Sequence, residues 1–175
     1  KVYVYSHTHW DREWYLTQRQ FQFLLGNTMD EVIDILIDDP RYKVFVADGQ
    51  TVLLQDYLEI RPNREKEVRN LVREGRLCIG PWYTMPDLWL PDGESIVRNL
   101  LYGRLDCEKY GAISPNIGYV PDSFGHIEQM PQIMNNFGID NYIFTRGMPL
   151  DSKENFIEFY WKGPDGKSQV CAHWL

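Results

Sequence analysis

The chain has 175 residues, enough for one domain with a sizeable core. Eighteen basic against 25 acidic residues give a formal charge of −7, which argues against a nucleic-acid surface, and no apolar run is long enough to span a bilayer. The three cysteines, Cys78, Cys107 and Cys171, are widely spaced without a CxxC pair, which fits a reduced, cytoplasmic setting.

Strands and helices alternate along most of the chain. Val2 to Tyr5 reads as a first strand, and three- and four-residue spacing of Leu25, Met29, Val32, Ile33 and Leu36 predicts a helix from about Gln20 to Asp38. Val44 to Ala47 is a second strand, ending in Asp48-Gly49-Gln50. Helices are expected over Thr51 to Ile60 and Arg64 to Glu74, with Asn63 a candidate cap and Gly75 a stop. Leu77 to Gly80 reads as a third strand, with Cys78 a buried small hydrophobe. An aromatic-rich loop, Pro81 to Asp87, follows it.

A helix over Glu94 to Tyr110 carries Ile96, Val97, Leu100, Leu101 and Leu105 on one face. Asn116 to Val120 is a fourth strand, Gln129 to Phe137 a helix, and Tyr142 to Thr145 a fifth strand. Phe156 to Lys162 and Gln169 to His173, joined by Gly163-Pro164-Asp165-Gly166-Lys167, read as an antiparallel hairpin. The fold class is α/β, a mostly parallel sheet with flanking helices. In such sheets sites gather at the carboxyl ends of strands. His9 and Asp11, Asp48, Trp82 and Asp87, Asp122, and Arg146 all stand there; Tyr83 is a pocket candidate by the same rule.

Two segments concentrate the chemistry. His7, His9 and Asp11 alternate with period two, which in extended backbone turns all three to one side. Imidazole and carboxylate are zinc donors, and Asp122 is the best-placed further carboxylate. His7 could instead be a core histidine, Asp11 a solvated loop residue and Asp122 a turn residue after Pro121. His126 is either a ligand or a packing residue at the start of the next helix. Arg146, after an apolar strand, suggests a buried ion pair with a strand-end carboxylate.

His9-x-Asp11 followed by Trp14, Ile79-Gly80-x-Trp82, and Asp122-x-Phe124-Gly125-His126 together resemble the catalytic domain of the glycoside hydrolase family 38 α-mannosidases, in the bacterial form. The likeness runs through essentially the whole chain. It implies the amino-terminal portion (residues 1–175) of a seven-stranded β/α barrel of the glycoside hydrolase/deacetylase type. It implies zinc, held by His9, Asp11 and Asp122, with Asp122 also the catalytic nucleophile of a retaining mechanism on terminal α-linked mannose. Trp14 and Phe124 would pack against the sugar, Arg146 would pair with the nucleophile, and Trp82 and Asp87 would face substrate. His7 has no role in that pattern. The resemblance also implies a fourth zinc ligand and a general acid beyond these 175 residues, so the segment alone is expected to be inactive; His173 lies too early to be that ligand. The expected partners are an α-mannoside oligosaccharide and the remaining domains of a longer chain, with neither nucleic acid nor membrane.

Three other readings compete. A metal-dependent amidohydrolase would use His7-x-His9 but leaves Asp122 and its Phe-Gly-His context unexplained. A deacetylase on a related barrel would cleave acetyl groups and no glycoside. A non-catalytic carbohydrate-binding domain would bind mannose without zinc.

Overall fold

A computed structural model describes residues 2–148 and 157–175. The elements, in order, are β1 (Ser6–His7), α1 (Gln18–Asp38), β2 (Phe45–Val46), α2 (Val52–Ile60), a 3-10 turn (Pro62–Arg64), α3 (Glu65–Arg73), β3 (Leu77–Cys78), α4 (Gly93–Tyr110), β4 (Ile117–Val120), α5 (Met130–Asn136), β5 (Asn141–Phe144), β6 (Glu158–Lys162) and β7 (Gln169–Trp174). The helices fall where apolar spacing puts them. Thr17 and Gln20 form a capping box at the start of α1, and the Asp92 side chain accepts the Ser95 N–H at the start of α4. Asn63 lies inside the 3-10 turn instead of capping α3.

The strands form two sheets. β1, β2 and β3 pair in parallel in that order; the second sheet runs β4-β5-β7-β6, parallel except for the antiparallel β6–β7 hairpin. The architecture is thus mixed α/β with parallel pairing and flanking helices, and the described strands do not close into a barrel. Phe156, expected to open the hairpin, lies outside the described residues. The first strand also starts later than apolar content suggests. Val2 to Tyr5 are exposed and the β1 ladder is confined to Ser6 and His7, because the partner strand β2 offers only Phe45 and Val46.

Alternation along the strands decides which face each sheet buries. Phe45, Leu77, Val120, Tyr142, Phe144, Val170 and Ala172 point to the helix-covered face. Val46, Cys78, Ile117, Tyr119 and Ile143 point the other way and line an apolar cleft of about 720 Å³ between the sheets. Cys78 is therefore half-exposed, and Cys107 on α4 is the buried thiol; burial pushes Cys107 up to about 11.

The α4 face is rotated from the one its leucines suggest. Ile96, Leu100, Gly103, Cys107 and Tyr110 are buried, whereas Leu101 and Leu105 are about half-exposed. The stripe includes a glycine because a loop backbone crosses it. A β-carbon on Gly103 would meet the Pro81 carbonyl oxygen at 2.1 Å and the Trp82 carbonyl carbon at 2.4 Å. No rotamer change relieves a clash with backbone. Gly103→Ala should therefore lower stability by about 1–3 kcal/mol, as overpacking does. Gly93→Ala, whose added carbon meets nothing, should leave the midpoint of thermal unfolding unchanged or raised. Equal midpoints for Gly103→Ala and the parent protein would contradict this packing.

Candidate metal centre and active site

After His7 the backbone leaves β1 and turns, so the period-two alignment of the sequence does not persist. His7 stays apart, its ring beside Tyr5, while His9 and Asp11 converge. His9 Nδ1 lies 3.2 Å from Asp48 Oδ1 and 3.1 Å from Oδ2. Asp48 follows β2 with φ 53°, in the left-handed region, where Asp is among the better-tolerated non-glycine residues. That turn carries its carboxylate beneath the loop after β1.

Asp48 is wholly buried, and its oxygens are satisfied from several directions. Besides His9, Oδ2 accepts the Trp10 backbone N–H and the Gln50 amide, each at 2.7 Å. Gln50 is 1% exposed; it also donates to the Trp10 carbonyl at 2.8 Å and accepts the Met85 N–H at 3.0 Å. One amide thereby ties together the loops that leave β1, β2 and β3. Arg12 anchors the first of these loops to α2 through a two-pronged pair with buried Asp56, at 2.7 and 2.9 Å.

With Nδ1 held by Asp48, His9 turns Nε2 into the cleft. Nε2 stands 3.6 Å from Asp11 Oδ1 and 3.6 Å from Asp122 Oδ2. One donor atom from each of His9, Asp11 and Asp122 lies within 4.8 Å of the others. Two carboxylates and one imidazole are a donor set that zinc accepts. The other Asp122 oxygen, Oδ1, accepts Arg146 Nε–H at 2.6 Å, and the Arg146 guanidinium lies 4.8 Å from the Phe124 ring centre.

The Asp48 hydrogen bond, with the charges of Asp48, Asp11 and Asp122, raises the His9 pKa above the ordinary histidine value, although partial burial opposes the rise.

A cleft of about 270 Å³ opens over these groups, lined also by Trp10, Met85, Asp87 and Phe124. Phe124 is exposed and Asp87 faces the same space, whereas exposed Trp14 is not among the residues that line the cleft and packs edge-on to Tyr15. Trp82 is a correction. Its ring is fully buried and its Nε1–H donates to the Tyr119 carbonyl at 2.9 Å, so it supports the fold and offers no face to a sugar. Tyr83 points elsewhere, donating to Gln55 at 3.0 Å. The Asp122–Arg146 pair forms but is half-exposed rather than buried. His126 stays outside the donor cluster, and His173 sits on β7 near Asn141 and Glu158. Sequence reasoning missed the part Asp48 and Gln50 play beneath His9. The signal available was the polar Asp-Gly-Gln turn directly after an apolar strand.

The family model described as "Glycosyl hydrolases family 38 N-terminal domain" matches residues 1–175. "Putative mannosylglycerate hydrolase" of Halalkalibacterium halodurans is 40% identical over 99% of this chain and 21% of its own length. "Alpha-mannosidase G" of Dictyostelium discoideum is 28% identical over 99% of the chain and 16% of its own. The crystal structure of an alpha-mannosidase from Enterococcus faecalis V583 superposes with a TM-score of 0.91 at 38% identity, covering 98% of this chain and 19% of that one. The chain therefore spans about a fifth of the length of these relatives.

The carboxylate beneath His9 has a measurable consequence in the metal-free state. Imidazolium is held more tightly in the fold than in the unfolded chain. Stability from this group is fully present below the ordinary histidine pKa of 6.5 and is lost as pH rises through the raised value. An NMR titration of metal-stripped protein should place the His9 midpoint above 6.5, and Asp48→Asn should bring it down. A midpoint unmoved by that substitution would contradict the pairing.

Proposed function

The chain belongs to glycosyl hydrolase family 38, and on that premise we propose that it supplies the nucleophile and three metal ligands of a zinc-dependent, retaining α-mannosidase. The observation that carries the proposal is the division of labour on Asp122. One oxygen faces the His9–Asp11 donor pair, and the other is held by Arg146.

The residues fit zinc. Tetrahedral bonds of 2.0–2.2 Å put donors about 3.4 Å apart, and His9 Nε2 already stands 3.6 Å from both carboxylates. Its other nitrogen is fixed by Asp48, the outer-shell carboxylate that orients a metal-binding histidine. When bound, zinc supplies a Lewis-acid anchor for sugar hydroxyls and so orients the ring.

Every other part belongs to the protein. Asp122 is the carboxylate that attacks the anomeric carbon, and Arg146 holds its far oxygen by a hydrogen bond. Phe124 offers an exposed ring beside it, and Asp87 is a polar contact on the cleft wall. The proton for the leaving oxygen and the fourth metal donor are assigned to the rest of a longer chain, whose remaining domains complete the site around an α-mannoside.

Two substitutions in the longer protein test the assignment. Asp122→Asn should lower turnover of an aryl α-mannoside by about 10³-fold or more, as loss of a covalent nucleophile does. His9→Ala should strip zinc, read by elemental analysis after dialysis. Near-normal turnover in the first variant, or full zinc in the second, would overturn it.

A further inference from the structure

His126 stays outside the donor cluster. It sits four residues after Asp122, and its ring packs edge-on against Tyr142 and Phe144, with Trp161 behind. Both ring nitrogens are engaged. Nε2 lies 2.8 Å from the Arg146 carbonyl and Nδ1 lies 2.9 Å from the Tyr142 hydroxyl. A carbonyl only accepts, so Nε2 carries the proton and donates to Arg146. Burial lowers the His126 pKa, which favours the neutral ring. In that state Nδ1 accepts from the Tyr142 O–H. The tautomer is therefore fixed from the core outward.

The loop that carries Arg146 is shaped for this contact. Gly147 has φ 92°, and a β-carbon there would meet His126 Cδ2 at 2.9 Å and Nε2 at 3.1 Å. The ring thus presses directly on the backbone beside Arg146. The Thr145 hydroxyl donates to the Pro121 carbonyl, and Trp174 Nε1–H donates to the Thr145 carbonyl at 2.8 Å. These bonds hold the start of the loop; His126 holds the residue whose guanidinium reaches Asp122.

We propose that His126 is a positioning residue that sets Arg146 on Asp122, through a chain running Tyr142 O–H, His126 imidazole, Arg146 carbonyl, Arg146 guanidinium and Asp122 carboxylate. The proposal rests on the reading of Asp122 as nucleophile for its kinetic consequence, though not for its geometry. Arg146 is half-exposed with a long, flexible side chain, and a surface ion pair alone would not hold one rotamer. Pinning its backbone to a ring anchored in the core removes much of that freedom.

Two isosteric variants of the full-length enzyme separate the two bonds. His126→Gln keeps a donor where Nε2 stands, toward Arg146. His126→Asn keeps a polar atom only at the Nδ1 position, toward Tyr142. Crystal structures should show Arg146 on Asp122 in the Gln variant and displaced in the Asn variant. With an aryl α-mannoside, kcat should fall about 10–100-fold in His126→Asn, the scale of a misplaced catalytic contact, with KM within about twofold, and should recover largely in His126→Gln.

A double-mutant cycle with Arg146→Ala supplies the readout that a merely structural role would not move. His126→Asn should cost nothing further once Arg146 is removed. Arg146 unmoved in the Asn crystals, or additive losses in the cycle, would overturn the proposal. An enzyme that leaves mannosides intact yet loses the Arg146 contact in His126→Asn would overturn the mannosidase reading and uphold the positioning role.

Discussion

The site is organised by one buried carboxylate. Asp48 is removed from water at the junction of three loops, and a buried carboxylate is tolerated only where hydrogen bonds replace its hydration. It receives them from the His9 imidazole, the Trp10 backbone and the Gln50 amide. Each of these donors lies on a loop whose course the bond constrains. The loop after β1 must pass over Asp48 for Trp10 N–H to reach it, and this places Asp11 in the cleft. The His9 ring must turn Nδ1 inward, which leaves Nε2 outward. The orientation of the cleft-facing nitrogen thus follows from satisfying the buried carboxylate beneath it.

Parallel pairing does the rest of the assembly. Strands β1, β2 and β3 end at one edge in register, and β4 and β5 end together in the second sheet. Residues far apart in sequence, His9, Asp48, Asp122 and Arg146, meet because each follows the carboxyl end of a strand. The two sheets share no strand ladder among the described residues. Their loops nonetheless meet across the cleft where Asp122 faces His9. Gly103 on α4 lets the loop after β3 lie close, and that loop carries Met85 and Asp87 to the cleft wall.

Much of this was legible from residue order. Helix positions follow apolar spacing, and the strand-end rule gathers His9, Asp11, Asp122 and Arg146. The failures share a physical origin. Trp82 stands at a strand end as the substrate-facing reading requires, but side-chain direction there is set by packing, and its indole turns inward among Leu88, Ile96 and Val120 to reach the Tyr119 carbonyl. His7 kept the period of His9 and Asp11 only on the assumption of extended backbone, which ends at His7 itself. The rotated face of α4 was hidden because a buried glycine carries no hydrophobic signal. Asp48 and Gln50 act through long-range hydrogen bonds, about forty positions from their partners; the polar Asp-Gly-Gln turn marks them locally but does not name those partners.

The most direct test is diffraction from crystals of the longer protein, grown with zinc and measured across the zinc absorption edge. The account predicts one anomalous peak about 2.0–2.2 Å from His9 Nε2 and from a carboxylate oxygen of Asp11 and of Asp122, with Arg146 still on the far oxygen of Asp122. A peak ligated by other residues, or none in zinc-grown crystals, would contradict it.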